Sequence, residues 1–277
     1  MQFEIEFSSS GASVLDFNYR YELSASLYKA LEEYSPTLAQ DLHDGSSRSR
    51  LKLFVFSGLS CLPKSQVVQY GERKGFQLGS KVWMRFSSII PEIAYGMAEA
   101  LQRKKDIIVR GVFLKVQRIS LVRLPDFAPS TIYRPFGQAG MIVCKYEQDG
   151  KHFFQLPDNS VQGIPGCSEL IAENLRHKLL RLKDVNNDLF VNYLSVSGLD
   201  EESLRSARIS VDFLPLVEGR SFKTGFFRIK NNSIRAFRAP FRLVAPEAFH
   251  RILWECGAGN MNSQGFGLVT TGLQERR

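Results

Sequence analysis

Four glycines, Gly257, Gly259, Gly265 and Gly267, fall within eleven residues near the end of the chain. Glycine tolerates positive φ and lets another backbone, or a phosphate, come close. Between them stand polar but uncharged residues, Asn260, Asn262, Ser263 and Gln264. The stretch reads either as an anion cradle of backbone N–H groups or as a tight hairpin. It is not a dinucleotide fingerprint, because Asn262 stands where the third glycine would be. Nor is it a P-loop, since no lysine precedes a Ser or Thr there. Just upstream, Arg220, Lys223, Arg228, Lys230, Arg235, Arg238 and Arg242 crowd two predicted strands, interleaved with phenylalanine. Such strands can offer cations to phosphate on one face and apolar groups on the other. The plainer reading is a solvated face over a phenylalanine core.

Histidine is the side chain whose ordinary pKa suits proton transfer near neutrality. His43 lies at a predicted helix end next to Asp41 and Asp44, a position that also suits a simple C-terminal cap. His250 lies close to the glycine stretch and is a candidate RNA contact, whereas His152 and His177 read as surface residues.

Periodicity supplies the frame for these residues. Phe3, Ile5 and Phe7 alternate like a half-buried strand. Leu23, Leu27, Ala30, Leu31 and Tyr34 recur at helical spacing, and Ser35-Pro36 ends that helix. A shorter helix, 37–43, stops at Asp44-Gly45 before a Ser/Arg loop, and a strand follows at 51–57. Further strands are expected at 67–70, 75–78 and 81–86, a helix from Pro91, and a strand over 112–121. The order reduces to βαββαβ, the ferredoxin-like framework shared with RNA-recognition domains.

Leu124-Pro-Asp-Phe-Ala-Pro129 reads as a linker. Beyond it come strands at 131–136 and 141–146, then a helix after Pro165-Gly166 with Ile171, Leu175, Leu179 and Leu182 on one face. Strands at 208–213, 222–230 and 233–244, a helix from Pro246 and a strand at 266–270 repeat the order. The expected architecture is therefore α+β, two tandem ferredoxin-like (RRM-like) βαββαβ domains over 1–123 and 130–277.

Length and composition agree. The chain has 277 residues and is 44% hydrophobic, enough for two cores, and its net charge of +8 suits a polyanionic partner. Cys61, Cys144, Cys167 and Cys256 lie far apart with no Cys-x-x-Cys pair, which fits a reducing cytoplasm and gives no zinc motif. No secretory leader or membrane-spanning run is expected.

Four stretches carry a resemblance. They are Leu23-Ser-Ala-Ser-Leu-Tyr-Lys-Ala-Leu31; Leu42-His-Asp-Gly45 followed by Lys52-Leu-Phe-Val-Phe-Ser57; Ser87-Ser-Ile-Ile-Pro-Glu-Ile-Ala94; and the glycine loop ending Gly265-Phe266-Gly267. In these the chain resembles the CRISPR-associated endoribonucleases that process precursor CRISPR RNA, the sixth CRISPR-associated family, within the RAMP superfamily. The resemblance spans almost the whole length and implies the same two domains. It implies a metal-independent cut in each repeat of a long transcript, with no cofactor. The 2′-hydroxyl attacks the adjacent phosphate and leaves a 2′,3′-cyclic phosphate and a 5′-hydroxyl.

The family's Tyr, His and Lys positions fall on Tyr28, His43 and Lys52. His43 would be general base or acid, Lys52 would stabilise transition-state charge, and Tyr28 would orient the phosphate or carry the other proton. Gly257, Gly259, Asn260, Asn262, Ser263, Gln264 and Gly265, with Arg235, Arg238 and Arg242, would bind RNA. The family commonly places Lys or Arg just before Gly-Phe-Gly. None stands at 260–264 here, so those arginines would have to supply the charge. The expected partner is CRISPR repeat RNA, and beyond it the effector complex or a second copy of the chain. The alternative is a non-catalytic RNA-binding subunit of an effector complex.

Overall fold

A computed structural model describes residues 1–9, 13–43, 52–71, 73–137, 140–158, 164–216 and 222–272, and the Ser/Arg loop, Leu51, Arg220 and the side chain of His43 lie outside it. The first half runs β1 (Gln2–Ser8), β2 (Val14–Asp16), α1 (Arg20–Tyr34), α2 (Pro36–His43), β3 (Phe54–Phe56), β4 (Ser60–Leu62), β5 (Gln66–Tyr70), β6 (Arg73–Gln77), β7 (Lys81–Ser88), α3 (Pro91–Lys104), β8 (Asp106–Val109) and β9 (Val112–Val122). Strand β1 lies between β7 and β9, both antiparallel, and β3 adds beside β7. That order is the ferredoxin-like one, with β8 as an extra edge and β2-β6-β5 as a separate small sheet. The alternation in β1 decides which face is covered. Ile5 and Phe7 turn into the core, where Leu23, Leu27 and Leu31 of α1 and Met97 and Leu101 of α3 meet them. Pro91 occupies the first turn of α3, as expected, and Lys105 caps its end at φ 65°.

The second half runs β10 (Ser130–Pro135), β11 (Cys144–Gln148), β12 (Lys151–Gln155), α4 (Cys167–Val185), α5 (Asn187–Val196), α6 (Glu201–Ser206), β13 (Ser210–Phe213), β14 (Lys223–Ile229), β15 (Asn232–Arg238), β16 (Phe241–Val244), α7 (Glu247–Cys256) and β17 (Val269–Thr271). Its main sheet, β13-β16-β10-β17, has the ferredoxin-like order again. The β11–β12 hairpin turns on Asp149-Gly150, both at positive φ, as the Asp-Gly pair requires. Helices α5 and α6 were not anticipated. Both start on side-chain caps, Asn186 accepting from Leu189 N–H (3.0 Å) and Asp200 from Ser203 N–H (2.7 Å). Among the described residues, no helix is long and apolar enough to cross a membrane.

One expectation is corrected. The stretch 233–244 reads as one strand, but it divides at Ala239-Pro240 into β15 and β16. Proline has no N–H to donate, so the ladder cannot continue through it. Strands β14 and β15 form a separate hairpin, bridged to Ile142 through Phe237, whereas β16 joins the main sheet. The basic cluster is split accordingly, with Arg235 and Arg238 on the hairpin and Arg242 in the sheet.

The halves meet on the second face of the first sheet. Val55 and Trp83 point away from α1 and α3 and pack with Phe136 and Leu268 of the second half. The Arg85 guanidinium lies 4.1 Å from the Phe136 ring centroid and pairs with Glu4 at 3.0 Å. Phe136→Ala removes the central ring of this contact. Emptying such a site costs about 3 kcal/mol and lowers the melting temperature by roughly 10 °C. Calorimetry on the purified variant measures it, and an unchanged transition would show that this ring does not hold the halves together.

Candidate active site and nucleic-acid interface

Helix α1 buries Leu23, Leu27, Ala30 and Leu31, which puts Tyr28 at the rim of that stripe. Its ring meets Phe54 of β3 edge-on at 6.0 Å. Lys52 lies two residues before β3, and its Nζ donates to Tyr28 Oη at 2.5 Å while sitting 4.6 Å from the ring centroid. Burial raises the Tyr28 pKa and lowers that of Lys52. Leu42, the residue before His43, lines the same small cavity of about 10 Å³ as Tyr28, Phe54 and Met97. This cavity is apolar-lined and holds no more than about one water, so it is a packing gap under the site rather than a substrate cleft. The fold therefore brings Tyr28, Lys52 and the end of α2 together.

The glycine loop is held from inside. Gly265 and Gly267 both have φ of 82°. A Cβ on Gly267 would lie 2.1 Å from Ala258 O, and one on Gly265 would lie 2.9 Å from the Phe56 ring. The N–H groups of Ala258, Asn260, Gly265 and Gly267 donate to Gly267 O, Val143 O, Asn262 O and Met141 O. Asn262 is buried and donates from Nδ2 to Ala258 O and Phe266 O, both at 3.1 Å. These four donors are spent within the loop and on the segment just before β11, so they are not open to an anion, and Asn262 braces the loop from inside. The buried glycines Gly257 and Gly259 present no side chain, which leaves Asn260, Met261, Ser263 and Gln264 partly exposed.

Two buried cations take the carbonyls that point inward. Lys178, fully buried on α4, donates to Cys256 O (3.1 Å), Gly257 O (2.6 Å) and Gly259 O (3.3 Å). Arg20, at the start of α1, donates to Gly265 O and lies 4.5 and 5.1 Å from the Phe266 and Phe227 ring centroids. One turn further along α1, Ser24 Oγ donates to Ser263 O at 2.9 Å and lies 3.4 Å from Gln264 Nε2.

The cationic residues are spread over two surfaces. Arg235 lies opposite Phe226 on the β14–β15 hairpin, its guanidinium carbon 5.7 Å from that ring centroid. Arg238 donates to Gly137 O and is partly buried. Arg242 is exposed on β16, next to Asp212 in the ladder. His250 is corrected from a candidate RNA contact to a core residue. It is fully buried, with Nδ1 2.9 Å from Tyr133 Oη and Nε2 3.2 Å from Ala245 O, and burial lowers its pKa.

Two family descriptions match this chain, "CRISPR-associated protein Cas6, N-terminal" over residues 14–120 and "CRISPR associated protein Cas6, C-terminal" over residues 142–271. The chain belongs to the Cas6 family of CRISPR-associated endoribonucleases. It is 22% identical over 272 residues to CRISPR-associated endoribonuclease Cas6 1 of Methanocaldococcus jannaschii, covering 97% of this chain and 92% of that one. Its fold is similar to that of the product of a Cas6-related gene from Pyrococcus furiosus, with TM-score 0.74, 21% identity and 99% of each chain covered. It is also similar to a structure described as a RAMP protein binding different RNA substrates, with TM-score 0.72, 19% identity, and 98% and 99% covered.

In this Cas6 chain, Arg20 and Lys178 hold the loop although no sequence motif singles them out. Lys178 left a signal, because it interrupts the apolar stripe of α4 between Leu175 and Leu179. Among the described residues, no group of three or more His, Cys, Asp or Glu is placed to hold a metal ion.

Burial pulls the Lys178 pKa down to about 7, whereas an unfolded lysine titrates near 10.4. Between those values the unfolded chain keeps a proton that the native chain has released, so stability rises with pH. Cys256, pushed up to about 12 by burial, acts in the opposite sense, but only once the unfolded thiol ionises near 8.5. Buried Cys144 acts in the same sense as Cys256, so urea unfolding is expected to show a net gain of roughly 1 kcal/mol from pH 7 to 8. Lys178→Met should be less stable and lack this gain. A flat wild-type profile would mean that the three carbonyls keep Lys178 protonated throughout.

Proposed function

We propose that this chain is a metal-independent endoribonuclease that cuts CRISPR precursor transcripts within their repeats. Attack by the 2′-hydroxyl on the adjacent phosphate opens the chain to a 2′,3′-cyclic phosphate and a 5′-hydroxyl. The observation that carries the reading is the Lys52–Tyr28 hydrogen bond beside the end of α2. The reaction needs a base for the 2′-hydroxyl, a cation for the phosphorane and an acid for the leaving oxygen. Lys52 is the donor in its bond to Tyr28 and supplies the cation. That bond directs the hydroxyl hydrogen of Tyr28 away from Lys52, toward a phosphate seated at the rim. His43, ending α2, exchanges the remaining proton near neutral pH.

The RNA path includes the outward residues of the glycine loop, Asn260, Ser263 and Gln264, with Arg235 and Arg242 as cations. Ser24, which holds Ser263, is four residues from Tyr28, about 6 Å along α1. RNA lying on the loop thus reaches the Tyr28 rim without a long detour.

The test is cleavage of repeat RNA in excess EDTA, with the product ends identified by mass spectrometry. Cyclic phosphate ends are expected. His43→Ala and Lys52→Ala should slow the cut roughly 100- to 10,000-fold with little change in RNA affinity. Tyr28→Phe, which keeps the ring packing, should slow it as well. Unchanged cleavage in His43→Ala would remove that residue from the mechanism, and a requirement for a divalent ion would overturn the reaction as written. Tight RNA binding by wild type with no cutting would instead favour the non-catalytic RNA-binding reading.

A further inference from the structure

The β14–β15 hairpin has two unlike faces. Phe227 and Ile234 turn inward onto Val143 and Phe266 of the glycine loop. Phe226, its neighbour in sequence, must then turn outward, and 73% of it is exposed. Its cross-strand partner is Arg235, a half-buried cation whose guanidinium carbon lies 5.7 Å from the Phe226 ring centroid. Thr224 and Arg228 flank Phe226 on the same outward face, and both are exposed. From Lys223 to Arg238 the hairpin has five basic residues and no acidic one.

We infer that Phe226 and Arg235 form a stacking site for one unpaired nucleotide of the bound RNA. The inference rests on the reading of this chain as an RNA-binding enzyme. A nucleobase offers the phenyl ring a π-face, and its phosphates meet Arg235 and Arg228. An apolar protein surface would cover the ring but would bury both guanidinium groups without partners. A base-paired stem keeps its bases inside the stack, so the nucleotide is single-stranded or flipped out. Every base has a π-face, so the site fixes the position of the strand rather than its sequence. The inner face of the hairpin packs on the glycine loop, so the stacked nucleotide is held in register with RNA lying on that loop.

The experiment measures the affinity of 2′-O-methyl repeat RNA, which cannot undergo 2′-hydroxyl attack, so binding is read apart from cutting. Phe226→Ala is expected to weaken binding roughly 5- to 100-fold, and Phe226→Trp to retain it. In a series of such RNAs, each with one abasic nucleotide, one position should cost affinity in the wild type and nothing further in Phe226→Ala. Phe226→Leu should bind as weakly as the alanine variant, because it keeps apolar area but no ring. Wild-type-like binding by Phe226→Ala overturns the inference, as does full rescue by leucine or an abasic profile identical in the two proteins. If wild type itself does not bind the repeat RNA, the RNA reading of the whole chain fails, and the stacking site with it.

Discussion

Arg20, Ser24 and Tyr28 stand four residues apart, so they form one row along α1. The first holds Gly265 O, the second holds Ser263 O, and the third meets Lys52. A single rigid helix of the first half thus fixes the glycine loop of the second half against the proposed catalytic pair. Eight residues at 1.5 Å each put Arg20 and Tyr28 about 12 Å apart along the axis. The row works because Arg20, although buried, donates to the Gly265 carbonyl and lies against two aromatic rings. A buried guanidinium that lost those partners would be strongly destabilising. The docking of the halves and the placement of the site are therefore one constraint.

Lys178 completes that constraint from the opposite side. It gathers three carbonyls at the junction of α7 and the loop, so the loop's negative ends point inward toward the Lys178 Nζ donor. Several of its N–H groups are spent on closure. What remains outward is neutral, Asn260, Met261, Ser263 and Gln264. A surface of this kind orients a ligand through amides and hydroxyls but adds little counterion release on binding RNA. The charge stands on the adjacent hairpin and on β16, so on the proposed RNA path salt dependence and orientation would come from different elements of the chain.

Much of the frame was legible because it rests on local rules. Phe3, Ile5 and Phe7 alternate as a strand must, α1 carries its stripe at helical spacing, and Pro91 begins a helix where a missing N–H does no harm. The break at Pro240 was there to be read, since proline has no N–H for a ladder, but only the strand partners show that the two pieces join different sheets. Phe226 and Phe227 are the same residue side by side. Which one faces water depends on what the hairpin packs against, and no local signal carries that. Tyr28 and Lys52 drew attention through family resemblance alone, because a tyrosine beside an apolar stripe and a lysine before a strand are common. The close packing of the glycine loop was not legible either, because glycines signal that something approaches but not what; Phe56, Ala258 and Asn262 of the same chain lie against Gly257, Gly265 and Gly267.

A ferredoxin-like sheet can bind RNA on the face its helices leave open. In the first half that face is occupied, with Val55 and Trp83 buried under Phe136 and Leu268. The buried Gln2 reaches across it, its Nε2 3.5 Å from Trp254 O of α7. Sheet-face readout is closed along β3 and β7, because opening it would separate the halves and release the Arg20 row. The proposed RNA path needs no such opening, since it runs over the rim at Tyr28, the outer side of the glycine loop and the hairpin that carries Phe226. These surfaces are continuous, because α1 touches the loop at Ser24 and the hairpin packs on the loop through Phe227 and Phe266. The same contacts that deny the chain an open sheet thus lay out a path from a cationic, aromatic hairpin to the hydroxyl of Tyr28.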